Sequence, residues 1–188
     1  GFWRDRAGMH DTMYGGDVEP NAAHDALAEL AAAGVLEAVI TQNVDGLHGA
    51  AGTENVVELH GNAQRVACES CGRRFDADPV FSAVREGDVP PRCEACEGVL
   101  KPDVVLFGEQ LPSGAIQEAR NHARRADVFL AVGSSLTVQP AASLPRTAAR
   151  EGGQLVLVNL EETPLSEEAD YEFLADVTDV LPAIAETL

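Results

Sequence analysis

The stretch Asp127-Val128-Phe129-Leu130-Ala131-Val132-Gly133-Ser134-Ser135-Leu136 decides how this chain is read. Its apolar half is too short for a helix and is β-branched at both ends, so it is read as a buried strand at 127–132. It stops on Gly133-Ser134-Ser135, small residues that let a phosphate or ribose approach closely. Helical spacing precedes it at 113–126 and follows it at 140–150, despite Pro145, and 154–159 is a second strand. The same alternation holds earlier. Glu19-Pro20-Asn21 precedes apolar positions Ala23, Ala26, Leu27, Leu30 and Ala31, stopped by Gly34, which predicts a capped helix. A short β-branched strand is expected at 36–41, and 176–188 closes the chain with helical spacing. Strands alternating with helices predict an α/β fold, a Rossmann-like mostly parallel sheet with helices on both faces. Ligands of such sheets bind outside the carboxyl ends of the strands.

Charge narrows the partners. The 188 residues carry 13 basic and 31 acidic side chains, a formal net charge of −18. Such a surface repels phosphate backbones and anionic lipid, so neither direct nucleic-acid binding nor membrane binding is expected. Hydrophobic residues make up 45%, enough for a packed core, and the apolar runs are far too short to span a bilayer. Of the basic residues only Lys101 is a lysine; the rest are arginines. Lysine depletion with high acidity predicts a salt-adapted protein.

The stretch from Cys68 to Cys96 breaks the α/β rhythm. It holds all four cysteines, as Cys68-x2-Cys71 and Cys93-x2-Cys96, with Pro79, Pro90 and Pro91 between short polar loops. Two CxxC knuckles can set four thiolates tetrahedrally around one zinc ion. Two disulfides would suit a secreted chain, and an acidic α/β chain is most simply cytoplasmic. A redox pair would need one CxxC beside a thioredoxin-like strand. A structural zinc is therefore expected, with no coordination position left for catalysis.

Four polar segments sit at strand ends or beside apolar runs: Thr41-Gln42-Asn43-Val44-Asp45-Gly46-Leu47-His48, Glu58-Leu59-His60-Gly61, Gly133-Ser134-Ser135-Leu136 and Asn159-Leu160-Glu161. Each alone reads as a loop of turn formers or a helix cap. Together they put ligand-capable groups at several strand ends of one sheet, which favours a nucleotide-like ligand. His10, His24 and His122 fall in helical stretches and are read as packing or solvated residues. His48 and His60 lie beside the polar clusters, where a neutral imidazole can take a proton from a hydroxyl. Spacing does not choose between them.

These motifs, with KPDVVLFGE at 101–109 and GSSLTVQPA at 133–141, occur in the order found in sirtuins, and the chain resembles that family of NAD-dependent protein deacylases over essentially its whole length. The resemblance implies that His60 is the catalytic base and His48 structural. It implies that Gln42, Asn43, Val44 and Asp45 line the nicotinamide and ribose pocket. Gly133, Ser134 and Ser135, with Asn159, Leu160, Glu161 and Val177, match residues around the adenosine half of NAD. Val105, Phe107 and Gly108 match the segment that pairs with an acyl-lysine protein or peptide strand to strand, and Val138 the opposite wall of that cleft. Residues 1–66 and 101–188 would form the Rossmann-like NAD-binding domain and 67–100 a small zinc-ribbon insert held by Cys68, Cys71, Cys93 and Cys96.

The implied chemistry consumes NAD. The acyl oxygen of the substrate lysine displaces nicotinamide at the ribose C1′, His60 deprotonates a ribose hydroxyl whose oxygen attacks the imidate carbon so formed, and water then releases free lysine while the acyl group stays on ADP-ribose. Sirtuins begin with a Gly-rich strand–turn–helix that binds the pyrophosphate, and no such motif occurs here, so the chain is expected to be an N-terminally truncated member lacking its first βα unit. Members that prefer succinyl-lysine carry Tyr-x-x-Arg where this chain has Trp3-x-x-Arg6, so acetyl-lysine is the expected substrate. The alternatives are a zinc-stabilised peptide-binding module without turnover, and a mono-ADP-ribosyltransferase.

Overall fold

In the structure, a computed structural model, residues 1–14, 18–106 and 108–187 are described. The chain forms two compact units. One comprises Gly1–Glu19, Asn43–Gly46 and His60–Glu109, the other Pro20–Gln42, Leu47–Leu59 and Gln110–Leu188.

The second unit holds the α/β pattern. Its strands are β1 (Val39–Thr41), β2 (Val56–Glu58), β6 (Val128–Val132), β7 (Gln154–Asn159) and β8 (Tyr171–Leu174). All pair in parallel, β1 with β2, and β6, β7 and β8 in that order. Helices α2 (Ala22–Ala32) and α7 (Val177–Ala185) pack Ala23, Ala26, Leu27, Leu30 and Leu181 with Val39, Leu130 and Val132. Helix α5 (Ser113–Arg125) sets Ala119 and Ala123 against Val57, Leu59 and Leu144, the last from α6 (Leu144–Arg150). Val39, Leu130 and Val132 pack on α2 and α7 while their neighbours Ile40 and Phe129 pack on the α5–α6 side, so both faces of these parallel strands are covered.

Local signals explain the element ends. Asn21 accepts from the amides of Ala23 and His24, while the His24 Nδ1 takes the Asn21 amide at 3.3 Å, a reciprocal cap. Histidine at this place is therefore a capping residue. The strand expected at 36–41 is shorter, because Leu36 still bonds back to the Leu30 carbonyl at the end of α2. The helix expected at 140–150 opens with a 3₁₀ turn, Ala141–Ser143, and Pro145 falls in the first turn of α6, where no amide donor is needed.

The first unit corrects the reading of the cysteine stretch as short polar loops. Strands β3 (Gly61–Cys68), β4 (Arg74–Asp76) and β5 (Leu100–Val104) form an antiparallel sheet ordered β4-β3-β5, and Ala77–Glu86 is a helix, α4. Its apolar positions Ala77, Phe81 and Val84 follow i, i+4, i+7 and pack on Val66, Cys68 and Leu100. Pro79 sits in the first turn, so it does not break the helix. Helix α1 (Phe2–Tyr14) joins this core through Trp3 and Ala7, and the His10 ring packs tilted against Phe81 at 4.6 Å between ring centroids. Among the described residues no helix is long and apolar enough to cross a membrane.

Candidate functional site

The four cysteines converge. Their sulfurs all lie within 4.8 Å of one another, with Cys68 Sγ 3.5 Å from Cys96 Sγ and Cys71 Sγ 3.8 Å from Cys93 Sγ. None is in a disulfide. Sulfurs at the corners of a zinc tetrahedron with ~2.3 Å bonds stand about 3.8 Å apart. The spacing fits that ion. Two tight turns make the cluster: the Gly72 amide closes on the Cys68 carbonyl and the Glu97 amide on the Cys93 carbonyl, with Gly72 and Glu97 both at positive φ. A Cβ at Gly98 would stand 2.8 Å from Cys68 Sγ, so the glycine gives the sulfurs room.

Proton affinities in the cluster conflict. A backbone hydrogen bond at Cys71 leads in lowering the Cys68 thiol to about 6. A backbone hydrogen bond at Gly98 lowers Cys96, yet the sulfurs of Cys68, Cys71 and Cys93, with desolvation, push it up to about 12. Four crowded thiols cannot all ionise unaided, and a divalent cation removes the conflict.

In the same unit, Asn43–Gly46 runs beside the start of β3. The Ala63 amide donates to the Val44 carbonyl at 2.7 Å, and the Gln64 side-chain amide reaches the Asp45 carbonyl at 3.4 Å. His60 is half-buried at the turn into β3. Its carbonyl accepts the Val105 amide at 3.0 Å, which ties the candidate base to the candidate peptide segment. Gly61 has φ +76, and a Cβ there would stand 2.0 Å from the Asp103 carbonyl oxygen, so only glycine fits beside His60. Phe107 lies outside the described residues; Gly108 is exposed at φ +89.

The second unit gathers its expected residues at strand ends. Gly133 ends β6, its amide bonded to the Val158 carbonyl of β7, and Val177 Cγ1 from the start of α7 lies 3.9 Å from where a Gly133 Cβ would be. Asn159 ends β7 and donates its side-chain amide to the Glu161 carbonyl at 2.8 Å. The Ser134 hydroxyl accepts the Leu136 amide, and Ser135 meets Thr137 at 2.9 Å. Gln42 follows β1, Leu160 is 70% exposed and Val138 is exposed. Gly133, Ser134, Ser135, Asn159, Leu160, Glu161 and Val177 thus lie at the carboxyl ends of parallel strands or the start of a helix, where anionic and sugar ligands are held. His48 sits in the short helix α3 (Leu47–Ala50), its ring 4.8 Å from that of His24.

Two residues of the KPDVVLFGE stretch, Lys101 and Glu109, had no role at the site on sequence grounds. Glu109 accepts from Lys101 Nζ at 2.6 Å and from the Leu106 amide at 2.9 Å. Both donors depress its carboxyl below the ordinary range, the amide most. Trp3 is buried against Phe81, and the Arg6 guanidinium lies 5.4 Å over the Phe2 ring, so that pair is engaged within its own unit.

The Sir2 family model matches residues 5–140. A Haloarcula marismortui protein named NAD-dependent protein deacetylase is 58% identical over 190 residues, spanning 100% of this chain and 73% of that protein. A Sulfolobus acidocaldarius protein of the same name is 48% identical over 183 residues, 97% of this chain and 71% of that one. Among solved structures, a Sir2 homolog–NAD complex is similar with a TM-score of 0.85 at 38% identity, covering 98% of this chain and 70% of that one. A Sir2–p53 peptide–NAD+ complex gives 0.82 at 41% identity, covering 90% and 70%.

Proposed function

The chain belongs to the Sir2 family, and on that premise we propose that it is an NAD-dependent protein-lysine deacetylase, transferring an acetyl group from lysine to ADP-ribose with release of nicotinamide. The observation that carries this reading is the 58% identity, along the whole chain, to a protein named for that activity. NAD is a consumed co-substrate.

In this reading His60 is the general base that takes a proton from a ribose hydroxyl, work worth about 10²–10⁴-fold in rate. Gln42, Asn43, Val44 and Asp45 hold nicotinamide and its ribose. Gly133, Ser134, Ser135, Asn159, Leu160, Glu161 and Val177 hold the adenosine half. Support for the second set is their position at strand ends, where small residues and a helix start suit ribose and phosphate. Val105, Phe107, Gly108 and Val138 receive the acyl-lysine peptide. By function, residues 1–66 and 101–188 are assigned to the NAD-binding domain and 67–100 to the zinc-binding insert, although α1, β3 and β5 pack in one compact unit with the cysteines.

Cys68, Cys71, Cys93 and Cys96 would hold one zinc ion. With four sulfur ligands it offers no open position, so its contribution is to hold the fold. The protein works in the cytoplasm, where reduced thiols are maintained, and its acidity and lysine depletion adapt it to high salt.

Mass spectrometry of an acetyl-lysine peptide incubated with protein and NAD tests the reading. Loss of the acetyl mass together with acetylated ADP-ribose is expected. ADP-ribose added to protein would favour transferase chemistry, and an unchanged peptide would favour a binding module.

A further inference from the structure

We infer that Glu109 is a positioning residue for the acyl-lysine peptide: with Lys101 it latches the turn that follows β5 and so sets the register of the peptide-pairing segment. The inference rests on the deacetylase reading and on four contacts within one unit. The Val105 amide is fixed to the His60 carbonyl. At the other end, the Glu109 amide donates to the Leu106 carbonyl at 2.9 Å. The Glu109 side chain then folds back, and one oxygen, Oε2, takes both the Leu106 amide and Lys101 Nζ. Lys101 lies on β5, so the turn is pinned to the strand it leaves.

Two considerations make this more than a surface ion pair. The first is composition: Lys101 is the only lysine in a chain whose other basic residues are arginines. An ammonium is a compact point charge that shares one oxygen with a backbone amide without the planar fork of a guanidinium, which is best matched by both carboxylate oxygens. The second is energetic. Lys101 and Glu109 are 25% and 40% exposed, and ion pairs so placed contribute little to folding stability. Geometry is what the latch supplies. Strand-to-strand recognition of a peptide needs backbone donors and acceptors at fixed register, since a one-residue slip turns every side chain to the other face.

The test measures Kd for an acetyl-lysine peptide, for its unacetylated counterpart and for NAD, on the full chain and on variants, with melting temperature and zinc content alongside. Glu109→Ala is expected to weaken the acetylated peptide at least tenfold while leaving the Kd of NAD, the zinc content and the melting temperature at wild-type values. Glu109→Gln keeps an acceptor for the Leu106 amide and should recover part of the loss. Lys101→Gln leaves that amide satisfied, removes the charge and shortens the side chain, and should cost several-fold; it carries the test if Glu109→Ala does not fold. Unchanged peptide binding in the folded variants, or an equal loss of peptide and NAD binding, would overturn the inference. A wild-type chain that binds acetylated and unacetylated peptides equally would overturn the deacetylase reading itself, before any variant is compared.

Discussion

The backbone amide of Val105 donates to the carbonyl oxygen of His60 at 3.0 Å. One hydrogen bond thus joins the residue proposed to handle the ribose proton to the segment proposed to hold the peptide. The bond is between backbones, so it survives any change of the imidazole. His60→Ala should therefore lower deacetylation by about 10²–10⁴-fold while the acetyl-lysine peptide binds nearly as before. His48→Ala is the contrast, with some activity retained. Steady-state rates beside peptide titrations check the pair, and wild-type turnover by His60→Ala would reject the assignment.

Gly61 sits between His60 and β5 with no room for a side chain. Gly61→Ala combines a positive φ with a clash against the Asp103 carbonyl, a backbone atom that cannot swing aside. It should destabilise the unit by about 2–5 kcal/mol. Denaturant unfolding measures this directly. A loss under about 1 kcal/mol would show that the turn relaxes easily.

Much of the α/β unit was legible because parallel strands are continuous apolar runs and the helix signals are local, although β6 is less buried than its sequence suggests, with Val128 54% exposed and Ala131 its one buried residue. Strand β7 spans 154–159 as expected, and Asn21 caps α2. Strand β8 went unread: Tyr171, Phe173 and Leu174 are all exposed on an edge strand, so no buried face marks it. Helix α4 was hidden by Pro79, which in a first turn is no breaker. The four cysteines declared themselves by spacing, since a tetrahedral ion dictates that spacing. His60 did not. No periodicity separates it from His48, and only the family motif did so.

The sulfur cluster predicts about one zinc per chain and a site made of sulfur alone. Removing the metal with a chelator, or Cys71→Ser, should unfold the unit containing β3, β4, β5 and α4, because binding energy at a structural zinc is folding energy. Metal analysis and circular dichroism under reducing conditions read both. A metal-free chain with its fold intact would contradict the site.

The net charge of −18 predicts that melting temperature climbs steeply with added KCl, as screening relieves repulsion among 31 acidic side chains. A melting temperature that does not change between dilute buffer and molar KCl would refute salt adaptation.

In the proposed reaction, NAD cleavage and lysine deacetylation are one coupled process. The most direct measurement follows nicotinamide, free lysine peptide and acetylated ADP-ribose together, starting from NAD and a peptide carrying an isotope-labelled acetyl group. Equal amounts of all three, with the label on ADP-ribose and no nicotinamide released when the acetylated peptide is omitted, are the expected result. Nicotinamide release independent of the peptide, or the label appearing as acetate from the outset, would contradict it.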